Sequence, residues 1–298
     1  MAIADRSDSA QAWTTFWSEQ GDGSRCLANL HPDVRRTLND HWSAFAASLA
    51  PAARLIDLGC GAGIVARTLL AAQSQLRITG IDLATLPPST DPRFAIVSGT
   101  PMESLPFADA AFDAAVSQFG FEYSRVDEAA RELARVLVPG SPISFLIHHS
   151  ESSVVSHNRA RNRALGELTG EGIQSVFVSG DAALLDQLLL SIMRQHPGEA
   201  IVGQLAQALR THVVREQAQR TAIWDAVIDS LAPEREILGA METCCVSPDG
   251  LGDWLSCLED AFEIRSVSVM LKASGEAIAW NVEGVRKAEH TSTKSHIS

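Results

Sequence analysis

The chain has 298 residues, 46% of them hydrophobic, so it can bury a sizeable core as one large domain or as one domain with an insertion. Its net charge of −12 repels a phosphate backbone and disfavours DNA or RNA as the main partner, which leaves small molecules as the favoured ligands. No apolar run approaches the roughly 18 residues that a membrane span needs, and the first residues do not resemble a secretion signal. We therefore expect a cytoplasmic protein without membrane contact.

The cysteines predict no structural cross-link. Cys26, Cys60, Cys244, Cys245 and Cys257 form an odd-numbered set without paired CxxC spacing. We expect buried thiols rather than a disulfide framework or a zinc site, and no bound metal.

The chain opens with a helical pattern, and residues 1–50 are predicted to form an N-terminal helical lid region. The segment HPDVRRTLNDHWSAFAASL brings six side chains to one helix face: Val34, Leu38, His41, Trp42, Phe45 and Leu49. Phe16 and Trp17 in TTFWSEQG have two interpretations. They close over a cofactor, or they pack on the core.

Residues 51–149 alternate between strand and helix patterns. The strand-length segments are LIDL, LRITGID, FAIVSG, FDAAVSQ and PISFLIHH, and ARTLLAAQ and VDEAARELARVL are the helical patterns between them. This alternation predicts a parallel sheet covered by helices. Adjacent prolines in ATLPPSTDPR predict that the crossover helix after the second strand is short or absent.

Residues 150–261 lose the alternation and are mostly helical in pattern, which predicts a helical insertion. Its apolar stripe consists of Leu184, Leu185, Leu188, Leu189 and Ile192. Because this stripe needs a surface to cover, we predict a cap over the carboxyl edge of the sheet. A homodimer formed through the insertion is the alternative.

Residues 262–287 return to strand character. FEIRSVSVML and EAIAWNVEGV are joined by KASG, which indicates a closing hairpin, and residues 288–298 are predicted to be a disordered tail. The predicted fold class is α/β: a doubly wound, mostly parallel seven-stranded sheet with a C-terminal antiparallel hairpin and a helical insertion.

The segment LIDLGCGAGIVA places a glycine-rich turn after the first strand, at the edge where doubly wound sheets bind ligands. Compared with the dinucleotide fingerprint GxGxxG, the third glycine comes one residue early. Asp57, two positions before the first glycine, repels pyrophosphate and attracts an ammonium group. Asp82 closes the second strand in GIDL and can accept both hydroxyls of a ribose, which alone is equally compatible with NAD. Together these residues suggest a nucleoside that carries an amino acid.

Residues 53–148 resemble the class I S-adenosylmethionine-dependent methyltransferases. The motifs that carry the resemblance are DLGCGAG, GIDL, SGTPMESLPF, FDAAVSQFGFEY and ARVLVPGS. The resemblance implies that residues 51–149 form the cofactor-binding core, with S-adenosylmethionine as the cofactor. The implied cofactor residues are Asp57, Gly59, Cys60, Gly61, Asp82, Leu83, Thr100, Pro101, Met102, Ser117 and Gln118.

Within this set the resemblance gives each residue a separate task. Asp57 lies near the methionine amino group, Gly59 and Gly61 pass against the methionine portion, and Asp82 binds the ribose. Thr100, Pro101 and Met102 would flank adenine. The family often has an acidic residue where this chain has Thr100, so a hydroxyl or a backbone carbonyl is expected to bind the adenine amino group instead.

The acceptor site is predicted at residues 118–123, QFGFEY, together with His148 and His149 at the end of the fifth strand. His148 is the first choice for a base, His149 the second, and Tyr123 is the third candidate catalytic residue. We expect methyl transfer to a small-molecule acceptor on oxygen, nitrogen or carbon, with specificity supplied by the insertion.

Two other functions stay open. A non-catalytic, methyltransferase-like protein would bind cofactor or partner through the insertion. An NAD-dependent oxidoreductase is disfavoured by the GCGAG spacing and by Asp57.

Overall fold

The computed structural model describes residues 6–20 and 32–288. These residues divide into two compact units. The first, the sheet unit, comprises residues 13–152 and 244–288. The second, the helical unit, comprises residues 6–12 and 153–243.

The sheet unit contains a seven-stranded sheet in the order β3-β2-β1-β4-β5-β7-β6. The strands are β1 (Arg54–Leu58), β2 (Arg77–Asp82), β3 (Phe94–Ser98), β4 (Ala114–Gln118), β5 (Pro142–His148), β6 (Phe262–Leu271) and β7 (Ala277–Arg286). The first five are parallel, and β7 runs antiparallel to both β5 and β6. The predicted fold class is therefore confirmed, including the closing hairpin.

The helices are α1 (Arg6–Gln20), α2 (Pro32–Ser48), α3 (Ile64–Ala72), α4 (Val126–Val136), α5 (Ser153–Leu168), α6 (Glu171–Ser179), α7 (Ala182–Gln195), α8 (Ala200–His212), α9 (Gln217–Cys244) and α10 (Leu251–Glu259). The helices α2, α3, α4 and α10 belong to the sheet unit. The last of these lies within the segment 150–261 that the sequence assigns to the insertion.

Alternate residues of the central strands enter two separate cores, one on each face of the sheet. Leu55, Val116 and Leu146 pack with α2 and α3, whereas Ile56 and Phe145 pack with α4 and α10. The strands are buried on both faces and read as continuous apolar runs for that reason. Both cores stop at the carboxyl edge, where β2, β4 and β5 end in the polar residues Asp82, Gln118 and His148, and where Asp57 is the penultimate residue of β1.

The connection between β2 and β3 contains no helix, as the adjacent prolines predict. The loop is held instead by buried apolar residues and by Ser98, whose hydroxyl exchanges hydrogen bonds with the backbone of Leu86. Ala84 and Leu86 fill the space against the sheet.

The helical unit has a core of its own. Leu185, Leu189 and Ile192 are buried against neighbouring helices of this unit, and Leu188 is half-buried there. Leu184 is 41% exposed. The apolar stripe thus finds its surface within the unit, so it no longer argues for a cap over the sheet, which stays a prediction.

Some predictions fall on residues outside the described ranges: Cys26, the tail after residue 288 and residues 21–31 of the N-terminal region. Among the described residues, no helix is both long and apolar enough to cross a membrane.

Candidate functional site at the carboxyl edge of the sheet

The turn between β1 and α3 depends on its glycines. Gly59, Gly61 and Gly63 have φ of +67°, +49° and +78°, in the left-handed region that glycine adopts most easily. A Cβ on Gly59 would lie 3.1 Å from the Cα of Gly120, so the backbones after β1 and β4 touch. The turn therefore exposes bare backbone at the predicted ligand edge.

Asp57 is a buried carboxyl group beneath this turn, 1% exposed. Neither of its oxygens has a hydrogen-bond partner with normal geometry, although the nearby amide of Ala66 favours the charged form. Burial, and secondly the charge of Asp82, raise the pKa of Asp57 from 3.8 to about 8. A buried carboxyl group without such a partner can bind a positively charged group of a ligand.

Asp82 ends β2 and holds the turn in place. Its Oδ2 accepts the amide of Gly61 at 2.8 Å, and its Oδ1 accepts that of Ala84 at 2.9 Å. Burial raises the pKa of Asp82, while the amides of Ala84, Gly61 and Leu83 counteract that rise. Each oxygen keeps a lone pair that can accept a further hydrogen bond, as ribose hydroxyls require.

The residues after β3 reach the same edge. The amide of Thr100 donates to the carbonyl of Asp82 at 2.9 Å, and its hydroxyl donates to that of Ser98 at 3.3 Å. Pro101 follows, and the Cε of Met102 comes within 3.1 Å of the position that a Cβ on Gly59 would take. Met102 thus lies over the glycine turn.

Three further predicted cofactor residues have protein partners. The Ser117 hydroxyl donates to the carbonyl of Leu58 at 2.8 Å and accepts the amide of Phe121 at 3.0 Å. Gln118 Oε1 accepts the indole N–H of Trp42 at 2.7 Å. These side chains join β4 to its neighbours.

The third of them, Cys60, is buried against Gly80, whose Cβ would fall 2.6 Å from the Cys60 Sγ. Burial raises the pKa of this thiol well above its usual range. The thiol is therefore protonated and packs as a small apolar group.

His148 at the end of β5 forms a buried pair with Glu122, which lies in the 3-10 turn Phe121–Tyr123 after β4. The ring Nδ1 lies 2.6 Å from Glu122 Oε1, and the same oxygen accepts the backbone amide of His148 at 2.8 Å. Glu122 Oε2 is buried without a hydrogen-bond partner. The structure brings His148 and Tyr123 together, as predicted, with Glu122 as a third member.

Aromatic rings surround this pair. The ring of Phe119 lies 4.5 Å from that of His148, and Tyr123 meets it edge-on at 5.9 Å. Phe119 has φ of +57°, a strained conformation for a bulky residue. Burial, and then Cys244 and Glu122, raise the pKa of the Tyr123 phenol well above its usual value, which keeps it neutral.

His149 lies elsewhere. Its ring stacks on Trp280 at 4.4 Å, and its Nδ1 accepts the backbone amide of Glu151 at 3.1 Å. Burial lowers the pKa of His149 and favours the neutral ring. Because successive strand residues face opposite sides, only one histidine of the pair joins the group around Tyr123.

The second half of α1 lies over the same edge. The ring of Trp17 lies against Gly61, and Trp13 meets Tyr123 edge-on at 5.2 Å. The hydroxyl of Thr14 accepts the amide of Thr85 at 2.9 Å.

Sequence reasoning did not identify the contacts of Phe119 and Trp13 or the pairing of Glu122 with His148. Glu122 is predicted from the sequence as a polar group able to orient an acceptor, but no spacing rule links it to a histidine 26 residues later. Strain at Phe119 has one sequence signal, the FGF segment at a strand end, where a glycine neighbours a residue that turns sharply.

The fold and the glycine turn define a class I methyltransferase fold, and comparison with known proteins agrees. Residues 56–145 match the family model of the methyltransferase domain. The resemblance drawn from the sequence is thereby confirmed: this part of the chain is a class I S-adenosylmethionine-dependent methyltransferase domain.

A curated relative is the malonyl-[acyl-carrier protein] O-methyltransferase of Methylococcus capsulatus, 33% identical over 104 residues. The match covers 32% of this chain and 37% of the relative, so the chain spans little more than a third of the length of that protein.

Two solved structures share the fold over nearly the whole chain. One is a chain of a Haloferax volcanii complex that contains the Trm112 methyltransferase activator, with a TM-score of 0.54, 12% identity and coverage of 94% of this chain and 98% of that one. The other is the 1,6-didemethyltoxoflavin-N1-methyltransferase of Burkholderia thailandensis, with a TM-score of 0.50, 11% identity and coverage of 97% and 93%. At these identities the likeness is one of fold alone.

Proposed function

We propose that the protein is a methyltransferase that uses S-adenosylmethionine to methylate a small molecule on oxygen, nitrogen or carbon. The observation that carries the proposal is Asp57, a buried carboxyl group directly beneath the glycine turn whose oxygens have no hydrogen-bond partner of normal geometry. An ammonium group would lower the pKa of Asp57 again and pair with its carboxylate, whereas a pyrophosphate would place further negative charge beside Asp57 and Asp82.

The residues at this edge fit the cofactor. Asp57 would take its ammonium group, Gly59 and Gly61 give its methionine portion access to the backbone, and Asp82 has lone pairs for the ribose hydroxyls. Thr100, Pro101 and Met102 would border the adenine. The crystal structure of the Burkholderia thailandensis neighbour contains S-adenosylhomocysteine, the product formed from this cofactor, which supports the same choice.

When bound, S-adenosylmethionine supplies an electrophilic methyl group whose C–S bond breaks as the acceptor atom bonds to the methyl carbon, which leaves the thioether S-adenosylhomocysteine. The chain's own task is to align the acceptor, exclude water and take a proton where the acceptor carries one. Nε2 of His148 takes that proton, and the rings of Phe119, Tyr123 and Trp13 keep the base dry.

The acceptor atom stays open. The two relatives named above are an O-methyltransferase and an N-methyltransferase. We further propose that the helical unit supplies acceptor specificity as a cap. Sedimentation at the mass of one chain, together with a crystal structure that has acceptor bound against this unit, would support the cap over the homodimer.

Calorimetry with S-adenosylhomocysteine tests the cofactor. We expect binding well below millimolar ligand and none of NADH, and Asp82→Ala should weaken binding by about 1–3 kcal/mol because it leaves donors unpaired. Asp91→Ala is the matched control, since Asp91 also accepts a backbone amide, that of Arg93, in the loop before β3. Absence of binding by the unaltered chain would end the proposal, and turnover on a metabolite panel separates an enzyme from a non-catalytic binder.

A further inference from the structure

One carboxylate oxygen of Glu122 forms two hydrogen bonds with His148. Its Oε1 accepts the ring Nδ1 at 2.6 Å and the backbone amide of the same residue at 2.8 Å. Both side chains are buried: 5% of the His148 side chain and 0% of the Glu122 side chain is exposed. A single oxygen that binds the backbone and the ring of one residue fixes the rotation of that ring.

The same contact selects the ring tautomer. Glu122 Oε1 accepts hydrogen bonds, so the ring nitrogen that faces it has to be the donor. In the neutral imidazole the proton therefore lies on Nδ1. The lone pair then lies on Nε2. No described residue hydrogen-bonds Nε2.

A continuous series of contacts connects the glycine turn with the ring of His148. Gly59 touches Gly120, Gly120 follows Phe119, and the Phe119 ring lies on that of His148. Phe119 holds this position with a strained φ of +57°.

We propose that Glu122 is a positioning residue that presents Nε2 of His148 as a base, and that the site takes acceptors that must lose a proton, hydroxyls or amines, over carboxylates. This inference rests on the proposed function. The acceptor's proton would pass to Nε2 as its heteroatom bonds to the methyl carbon and the methyl–sulfur bond of the cofactor breaks, which leaves S-adenosylhomocysteine. A carboxylate acceptor has no proton to give, and it would approach an edge that already holds the carboxyl groups of Asp57, Asp82 and Glu122.

Glu132 provides a matched control. Its Oε1 accepts the amide of Leu105 at 2.7 Å, so Glu132→Gln also removes the charge of a carboxylate that anchors backbone. It holds no histidine, and its other partner is Arg135.

The first test needs no substrate. The His148 ring nitrogens are observed by 1H–15N NMR in the full chain, at a pH where the ring is neutral, and assigned from the signals lost in His148→Gln. We expect the Nδ1–H tautomer in the unaltered chain and in Glu132→Gln, and a mixed or reversed tautomer in Glu122→Gln. An Nε2–H tautomer in the unaltered chain would overturn the inference even if the variant does not fold, and so would an unchanged tautomer in a folded Glu122→Gln.

The second test measures methyl transfer to phenols, alcohols, amines and carboxylic acids. We expect turnover of hydroxyl or amine acceptors, with kcat lowered by roughly 10² in Glu122→Gln and KM for S-adenosylmethionine nearly unchanged. Turnover of carboxylic acids alone would contradict the acceptor class while the methyltransferase function stands. Failure to bind S-adenosylhomocysteine would contradict the proposed methyltransferase function, whereas the tautomer measurement would still test the role of Glu122.

Discussion

The indole ring of Trp17 lies directly over Gly61: a Cβ on that glycine would fall 2.2 Å from Cζ2 of the ring. Gly61 also has a positive φ of +49°, so an alanine there is strained in its backbone and collides with the ring. We expect Gly61→Ala to lower the free energy of unfolding by about 2–4 kcal/mol, from backbone strain and overpacking together. Chemical denaturation measures this.

Gly99→Ala is the control for that prediction. Gly99 has a similar φ of +64°, but a Cβ there would meet nothing within 4 Å. It should cost only the backbone part, about 1–2 kcal/mol. Equal losses in the two variants would mean that the Trp17 ring yields freely.

Trp17 covers a surface that the cofactor is expected to use, so ligand binding should move its ring. Addition of S-adenosylhomocysteine should therefore change the tryptophan fluorescence, and Trp17→Phe should remove most of that change. Trp42→Phe is the comparison, because Trp42 is 1% exposed and its indole is hydrogen-bonded to Gln118. A full fluorescence change in Trp17→Phe would show that this ring stays in place.

Asp57 makes the stability of the unliganded chain depend on pH. Its pKa is raised in the fold from 3.8 to about 8, so between these values the folded chain holds a proton that the unfolded chain has lost. Stability then falls as pH rises through this window. We expect Asp57→Asn to flatten that fall and to raise Tm at pH 8 by about 2 °C or more, while it weakens binding of S-adenosylhomocysteine.

Thermal denaturation at pH 5 and pH 8 measures the effect. Asp113→Asn is the control. Arg54 lowers the pKa of Asp113, so this carboxyl group is ionised at both pH values and its removal should leave the pH dependence of stability unchanged. If Asp57→Asn loses stability equally at both pH values, Asp57 is ionised in the unliganded fold.

The order and direction of the strands follow from local pattern, which is why the sequence predicts them well. LIDL and PISFLIHH are mostly apolar because both faces of these strands are buried, and the double proline leaves no room for a helix after β2. The stripe from Leu184 to Ile192 shows the limit: periodicity tells that a helix has a covered face but not which surface covers it.

The candidate site was predictable where the ligand contacts lie next to glycines on a strand end, as at Asp57 and Gly61. The pairing of Glu122 with His148 depends on the register of β4 against β5, in which Gln118 lies beside Leu146. Trp17 reaches Gly61 through tertiary packing of a helix 44 residues away. Neither relation has a counterpart in local periodicity.

His148 and His149 are adjacent, equally buried and differently held, so they provide a direct test of which ring is the base. His148 contacts Glu122, Phe119 and Tyr123, whereas His149 stacks on Trp280. We expect His148→Ala to lower kcat by about 10² or more while the affinity for S-adenosylhomocysteine stays within a few-fold. His149→Ala should act mainly on stability, since it removes a stacked ring and the acceptor of the Glu151 amide.

Tyr123→Phe separates two contributions at the same place. The variant keeps the ring that contacts His148 and Trp13 and removes only the buried hydroxyl. We expect kcat to fall by about 10², because a neutral phenol beside the base can donate a hydrogen bond to the acceptor. The measurement is single-turnover methyl transfer with saturating S-adenosylmethionine. Full activity in Tyr123→Phe would restrict Tyr123 to packing, and full activity in both His148→Ala and Tyr123→Phe would place the base elsewhere or show that the acceptor needs none.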